Sequence, residues 1–217
     1  MKGMDKMKEV IIIILDKFAD WEVSFVSLAL NSKEFTLNYS IKYASVDKKT
    51  KTSIGNLKVL PDITIDDIDD NASGIVLIGA KDSWNNLDNE ANNKIINIVK
   101  KFKENKKVVG SICDASRYLA INGLLNDCKH TVNDLNEIKN NKNYKNHENC
   151  IKTDINSIID KKIVTSTGTG EIHFAMNIMK ALGDIPEEKI RLFYDIYTKG
   201  FEKAYKKYNE RNEKNGI

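Results

Sequence analysis

The chain has 217 residues, 41% of them hydrophobic, with 34 basic against 31 acidic side chains and a formal net charge of +3. That length can bury one sizeable core, and so even a charge balance argues against nucleic acid or a membrane surface as partner. Its three cysteines, Cys113, Cys128 and Cys150, stand at unrelated spacings that suit neither a disulfide framework nor a metal knuckle; the expectation is a cytoplasmic protein with no metal and no cofactor.

After a polar leader of about residues 1–8, the isoleucine-rich run over 10–15 reads as a buried strand; it is too short to cross a bilayer, and Asp16 and Lys17 follow at once. Asp20 is placed to cap a helix with Trp21, Phe25, Leu28 and Ala29 on its inner face. Residues 37–46 alternate as a second strand, and 52–62 predict a hairpin turning at Gly55 and Asn56 and closed by Pro61. Residues 74–79, GIVLIG, form another buried strand, and an amphipathic helix over 87–105 turns Ile95, Ile98, Val99 and Phe102 inward.

The stretch over 106–125, KKVVGSICDASRYLAINGLL, changes from a strand-like apolar run to helical spacing at Cys113. A cysteine there sits on a strand-to-helix turn at the carboxyl edge of a sheet, and a helix N-terminus beside it favours thiolate, the nucleophilic form. Small neighbours, Gly110, Ser111 and Ala115, leave room for a sharp turn; the competing reading is a buried, inert thiol.

Further on, 129–132 predicts a short strand with an N-cap at Asn133 or Asp134, 139–150 an exposed loop, and 150–155 with 162–166 a hairpin. TGTGEIHFAMNIMKALG predicts a glycine turn and a helix capped by Gly183, with Ile172, Ala175, Met176 and Met179 inward. Pro186 suits a first helical position, and one last helix through Tyr208 carries an aromatic stripe of Phe193, Tyr194, Tyr197, Phe201 and Tyr205, the pattern of core or a dimer surface. Alternating strands and helices give an α/β fold with a mainly parallel sheet, one domain over 1–217 with 184–217 as a helical extension.

GSICDASRYLAINGLL resembles the A-I-C-x-x-x-x-x-L-A-x-x-G-L-L stretch of the ThiJ/PfpI superfamily. FADWE, GIVLIGAKDSW, KHTVNDL and VTSTGTGEIHFAMNIM are similar to further segments of it, in the right order from about residue 10 to 182, and the likeness is nearest to a bacterial amidase- or protease-like branch. The resemblance implies a three-layer, flavodoxin-like sandwich, shared with class I glutamine amidotransferases, with a nucleophile elbow at Cys113. It implies Glu22 as a protonated acid reaching toward the sulfur, since two adjacent negative charges repel, and the amides of Gly79 or Ala80 and of Asp114 as oxyanion donors. By itself Glu22 would read as an ordinary first-turn glutamate complementing the helix dipole.

Three departures stand out. Ala80 replaces a usual glycine, Asp114 stands where many members have histidine, and the register of KHTVND brings Asn133, not a histidine, nearest the cysteine. His130 reaches Cys113 only if its segment bends, and otherwise is a core or surface histidine; His173 is a further candidate and His147 a solvated one. The expected function is a cysteine-dependent hydrolase or related enzyme on a small molecule, with His130 or Asp114 handling protons. Two alternatives are an oxidation-sensing stress-response protein, its Cys113 held as sulfinate by protonated Glu22, and a scaffold acting through a dimer surface. The partners implied are a small-molecule substrate or oxidant and a second copy of the chain.

Overall fold

A computed structural model describes residues 7–152 and 155–215. The strands are β1 (Lys8–Ile13), β2 (Tyr39–Ser45), β3 (Lys51–Thr52), β4 (Lys58–Val59), β5 (Ile63–Thr64), β6 (Gly74–Leu77), β7 (Val108–Ile112), β8 (Ser157–Asp160) and β9 (Ile163–Ser166). The helices are α1 (Asp20–Asn31), α2 (Asn89–Glu104), α3 (Asp114–Ile121), α4 (Glu171–Leu182), α5 (Glu187–Lys199) and α6 (Phe201–Asn215).

Seven strands form one sheet in the order β5-β2-β1-β6-β7-β9-β8, parallel except for β8 against β9. Helices α1 and α4 pack together over β2, β7, β8 and β9, while α2 and α3 pack on β6 and β7, giving three layers. This α/β, flavodoxin-like arrangement is the one expected. Strands covered on both faces must be apolar on both, and β1, β6 and β7 are buried through residues 10–13, 74–77 and 108–112. Since β1 leads to β2 on one side and β6 lies on the other, strand order reverses at β1/β6, and the crevice at the carboxyl ends there is the natural ligand site of such a sheet.

Several expectations need correction. On α1 the buried face is Glu22, Val23, Val26, Ala29 and Leu30, whereas Trp21 and Leu28 are exposed; apolar residues surround the helix, so its spacing allows more than one inner face, and packing on β2 and α4 selects this one. Asp20 caps nothing: Ala19 is the N-cap, and the Asp20 carboxylate accepts from the Gly55 N–H at 3.3 Å, fastening the β3–β4 hairpin to α1. Residues 129–132 form no strand, only an isolated parallel bridge between His130 and Cys150, because β8 occupies the place beside β9. The hairpin's first arm is β8 rather than 150–155, of which 153–154 lie outside the described residues, as do residues 1–6 of the expected leader. The 139–150 loop is not wholly exposed, for Tyr144 is buried in it. Pro186 is the N-cap of α5 rather than its first residue, and the expected last helix is two, broken at Gly200, whose φ of +91° only glycine adopts freely. Phe193 stacks edge-on to Phe35 at 5.3 Å, and Leu192, Phe193 and Ala204 join the one buried core that begins at Val10.

Candidate active site

The polypeptide turns from β7 to α3 on one residue, Cys113, at φ 59° and ψ −126°. No side chain with a Cβ takes that conformation cheaply, so the surroundings must hold it. They do: the Cys113 N–H donates to Ser166 O (2.9 Å), its carbonyl accepts from Ser116 N (3.0 Å), and the Ser116 hydroxyl donates back to Ser111 O (2.8 Å). The sulfur is thereby held at the carboxyl edge of the sheet.

Glu22, fully buried in the first turn of α1, accepts from the Gly79 N–H through Oε2 at 2.9 Å; Oε1 has no hydrogen-bond partner among the described residues and faces the sulfur. Two glycines make this approach possible. A Cβ on Gly79 would lie 2.6 Å from Glu22 Oε2 and 2.8 Å from Cys113 Cβ, and one on Gly168 would lie 2.8 Å from Cys113 Sγ. Asn133 completes the group: Oδ1 accepts from the Gly168 N–H (2.9 Å), which obliges its Nδ2 to be the atom 3.2 Å from the sulfur. Trp21 donates its indole N–H to Gly168 O (3.0 Å) and flanks the opening.

The histidines are elsewhere. His130 is buried with Nδ1 at Cys128 O (2.9 Å) and Nε2 at the Tyr144 hydroxyl (2.8 Å), so both ring nitrogens are spent; its segment does not bend toward the elbow, and the core reading of this residue holds. His173 bonds the Tyr194 hydroxyl and Asn156, and His147 stacks on Tyr144. Asp114 does sit in the cleft, with its Oδ1 paired to Arg117 Nε at 2.5 Å. The oxyanion expectation also changes. The Gly79 N–H is occupied by Glu22, the Asp114 N–H is directed at the sulfur, and the Ala80 N–H is engaged by no acceptor among the described residues. Alanine is no obstacle at position 80, where φ is −146°; the positive φ falls on Lys81 instead.

The DJ-1/PfpI family profile matches residues 8–181. The chain belongs to the DJ-1/PfpI family. It is 34% identical to uncharacterized protease YdeA of Bacillus subtilis over 87% of this chain and 90% of that protein, and 25% identical to uncharacterized protease YoaZ of the same organism over the same shares. Among solved structures it is similar to a DJ-1 superfamily protein of Agrobacterium tumefaciens (28% identity, TM-score 0.75, 88% of this chain and all of that one). It shares its fold with a thiJ/pfpI family protein of Bacillus anthracis (22% identity, TM-score 0.84, covering 96% and 98%).

Electrostatically the DJ-1/PfpI elbow of this chain is a two-proton device. Burial pushes the Glu22 carboxyl up from 4.5 to about 7, against the opposing pull of the nearby Cys113 thiol and of the Gly79 N–H. Burial and then the Glu22 charge push the Cys113 thiol up from 9.0 to about 12, with Asn133 and the Asp114 N–H working the other way. The helix terminus therefore does not ionise the thiol by itself, as its placement at the turn led one to expect. Desolvation outweighs it, and the pair holds one shared proton over the range between the two values. The open side is a cleft of about 610 Å³ in which Cys113 and Glu22 meet Trp21, Lys81, Arg117 and Asn133. Among the described residues no cluster of three or more metal-ligating side chains occurs, and no helix is long and apolar enough to cross a membrane.

Neither Gly168 nor Trp21 stood out as site residues. The sequence marks Gly168 as part of a turn, but what it approaches is known only once β9 lies beside β7. Asn133 could be found, since the register of KHTVND already aligns it with the cysteine.

Proposed function

We propose that the chain is a cysteine-nucleophile enzyme acting on the carbonyl carbon of a small amide or aldehyde, with Glu22 serving as the proton carrier for Cys113. One observation carries this: the buried Glu22 carboxyl turns its unpartnered oxygen to the sulfur, where no histidine reaches. Carboxylate Glu22 takes the thiol proton as Sγ bonds to the substrate carbon, and the C=O π pair moves to oxygen. With an amide, collapse of that adduct breaks the C–N bond and Glu22 returns its proton to the departing nitrogen; a water deprotonated by Glu22 then attacks the thioester, the C–S pair returns to sulfur with that proton, and the acid leaves. The names of the Bacillus relatives, proteases both, favour amide bonds; the cleft volume favours a small molecule or the end of a peptide.

A second reading is an oxidation sensor. The Asn133 Nδ2 donor and a protonated Glu22 would both donate to oxygens added to the sulfur. Turnover of chromogenic amides and of small dicarbonyls by the wild type, Cys113→Ser and Glu22→Gln, beside mass spectrometry after mild peroxide, separates the two. The enzyme reading expects turnover abolished by Cys113→Ser and cut about 100-fold or more by Glu22→Gln. Activity surviving in Cys113→Ser overturns it, and clean arrest at sulfinate with no turnover replaces it with the sensor.

A further inference from the structure

At the opposite, amino edge of the sheet lies a larger cavity of about 770 Å³, formed by the end of α2, the β8–β9 turn and the segment after α3. Its floor is apolar, with Leu124, Ile163 and Cys128 buried beneath it, and its lining includes five lysines against two carboxylates, Glu104 and Asp127. Lys103 is bonded to Asp127 at 2.7 Å and to Leu124 O, and Lys161 donates to Asp127 O at 2.6 Å. Lys100, Lys106 and Lys162 have no acidic partner among the described residues.

The backbone beneath these cations is unusual. Eight described non-glycine residues have positive φ; five are lysines, and three of those, Lys106, Lys161 and Lys162, line this cavity at φ 54°, 49° and 67°. Lys161 and Lys162 are the two central residues of the tight β8–β9 turn, a place where Asn-Gly is strongly preferred. Lys106 follows the C-cap of α2, with the Lys107 N–H reaching back to Phe102 O (2.9 Å), the closing bond that ordinarily recruits glycine to the preceding position. At three separate positions the local preference for Gly or Asn is overridden by the same cationic residue, all on one cavity. Local rules broken without a packing gain are the mark of a functional surface.

We infer that this cavity is a binding site for a small organic phosphate, its anionic group held by Lys106, Lys161 and Lys162 and its apolar body resting on Leu124 and Ile163. Several lysines lining one cavity suit, as point charges, a multiply charged phosphate, and the volume is that of a small-molecule site. The site is independent of Cys113, which lies at the other edge of the sheet.

Calorimetric titration at low salt without divalent metal, using adenosine triphosphate, inorganic triphosphate and adenosine as probes, tests this against a Lys106→Gly/Lys161→Asn/Lys162→Gly variant. The wild type should bind the nucleotide more tightly than either fragment, and the variant should lose about tenfold or more of that affinity. Because each change installs the residue its backbone prefers, the ligand-free variant should also melt higher, by about 2–4 °C or more. Its Cys113 alkylation rate should be unchanged. A Lys139→Asn/Lys142→Asn/Lys145→Asn variant, which removes the same charge from another loop, should keep the affinity. Absence of binding by both phosphates, no advantage of the nucleotide over inorganic triphosphate, or an equal loss in the second variant overturns the inference.

Discussion

The chemistry of Glu22 and Cys113 is legible in how the thiol reacts as pH changes. The pair gives up its first proton near 7 and its second near 12, so the rate of Cys113 alkylation should climb through neutral pH, level off, and climb again only at high alkalinity. In Glu22→Gln the inflection at 7 should vanish, leaving a single one at or above the ordinary thiol range, because burial of the sulfur remains while its charged neighbour is gone. Stopped-flow alkylation from pH 5 to 10 follows the inflection near 7 and its loss in the variant; one that persists in the variant would remove Glu22 from the pair. At this scale the sequence was informative where a motif carried the residue. Cys113 stood at a change of hydrophobic period and Glu22 in the FADWE segment. At His130 it left a site role and a core role open, because what decides between them is which way a non-strand segment runs, while the register of KHTVND already favoured Asn133.

Among the elements, the elbow and the turn before α4 are the two whose contact defines the site. Gly168 is the glycine that lies against the sulfur itself: a methyl group there would press on Sγ at 2.8 Å and on Glu22 Oε1 at 3.1 Å. Gly168→Ala should therefore fold at a cost of about 1–3 kcal/mol and lose most of the Cys113 reactivity, since sulfur and carboxyl would be pushed apart. Thermal melting and alkylation rate, read on the same sample, check it; full reactivity would show that the sulfur has room to spare. Strands flanked by helices are easy to read because burial on both faces writes itself as an unbroken apolar run, as over 10–13 and 75–77. The β8 arm is hard to place for a different reason: none of its residues is buried, Ile159 is exposed, and such a strand at the edge of a sheet leaves a weak pattern. The joint at Gly200 was hidden by helix-forming residues on both sides of it.

For the molecule as a whole, the buried carboxyl sets part of the dependence of stability on pH. Glu22 titrates near 4.5 when the chain is unfolded and near 7 when folded, so between those values the folded form holds the extra proton. Its contribution is fully present below about 4.5 and is lost as pH rises through 7, amounting to about 3 kcal/mol. Glu22→Gln should thus resemble the wild type at pH 4.5 and exceed it by several degrees in melting temperature at pH 8. Scanning calorimetry at the two pH values decides this, and an equal difference at both would mean that Glu22 is ionised throughout. The sheet's parallel character and its layers were readable from the alternation of elements. The strand order was not, being set by which long crossovers close.

The two tryptophans stand in opposite circumstances: Trp84 is 2% exposed against Tyr118, and Trp21 is 44% exposed, its indole tied to the Gly168 carbonyl at the mouth of the cleft. Fluorescence from this protein therefore comes with an internal standard. Acrylamide will quench one emitter and spare the other, and whatever enters above Cys113 announces itself by dimming or shifting the accessible one, without a label and without knowledge of the substrate.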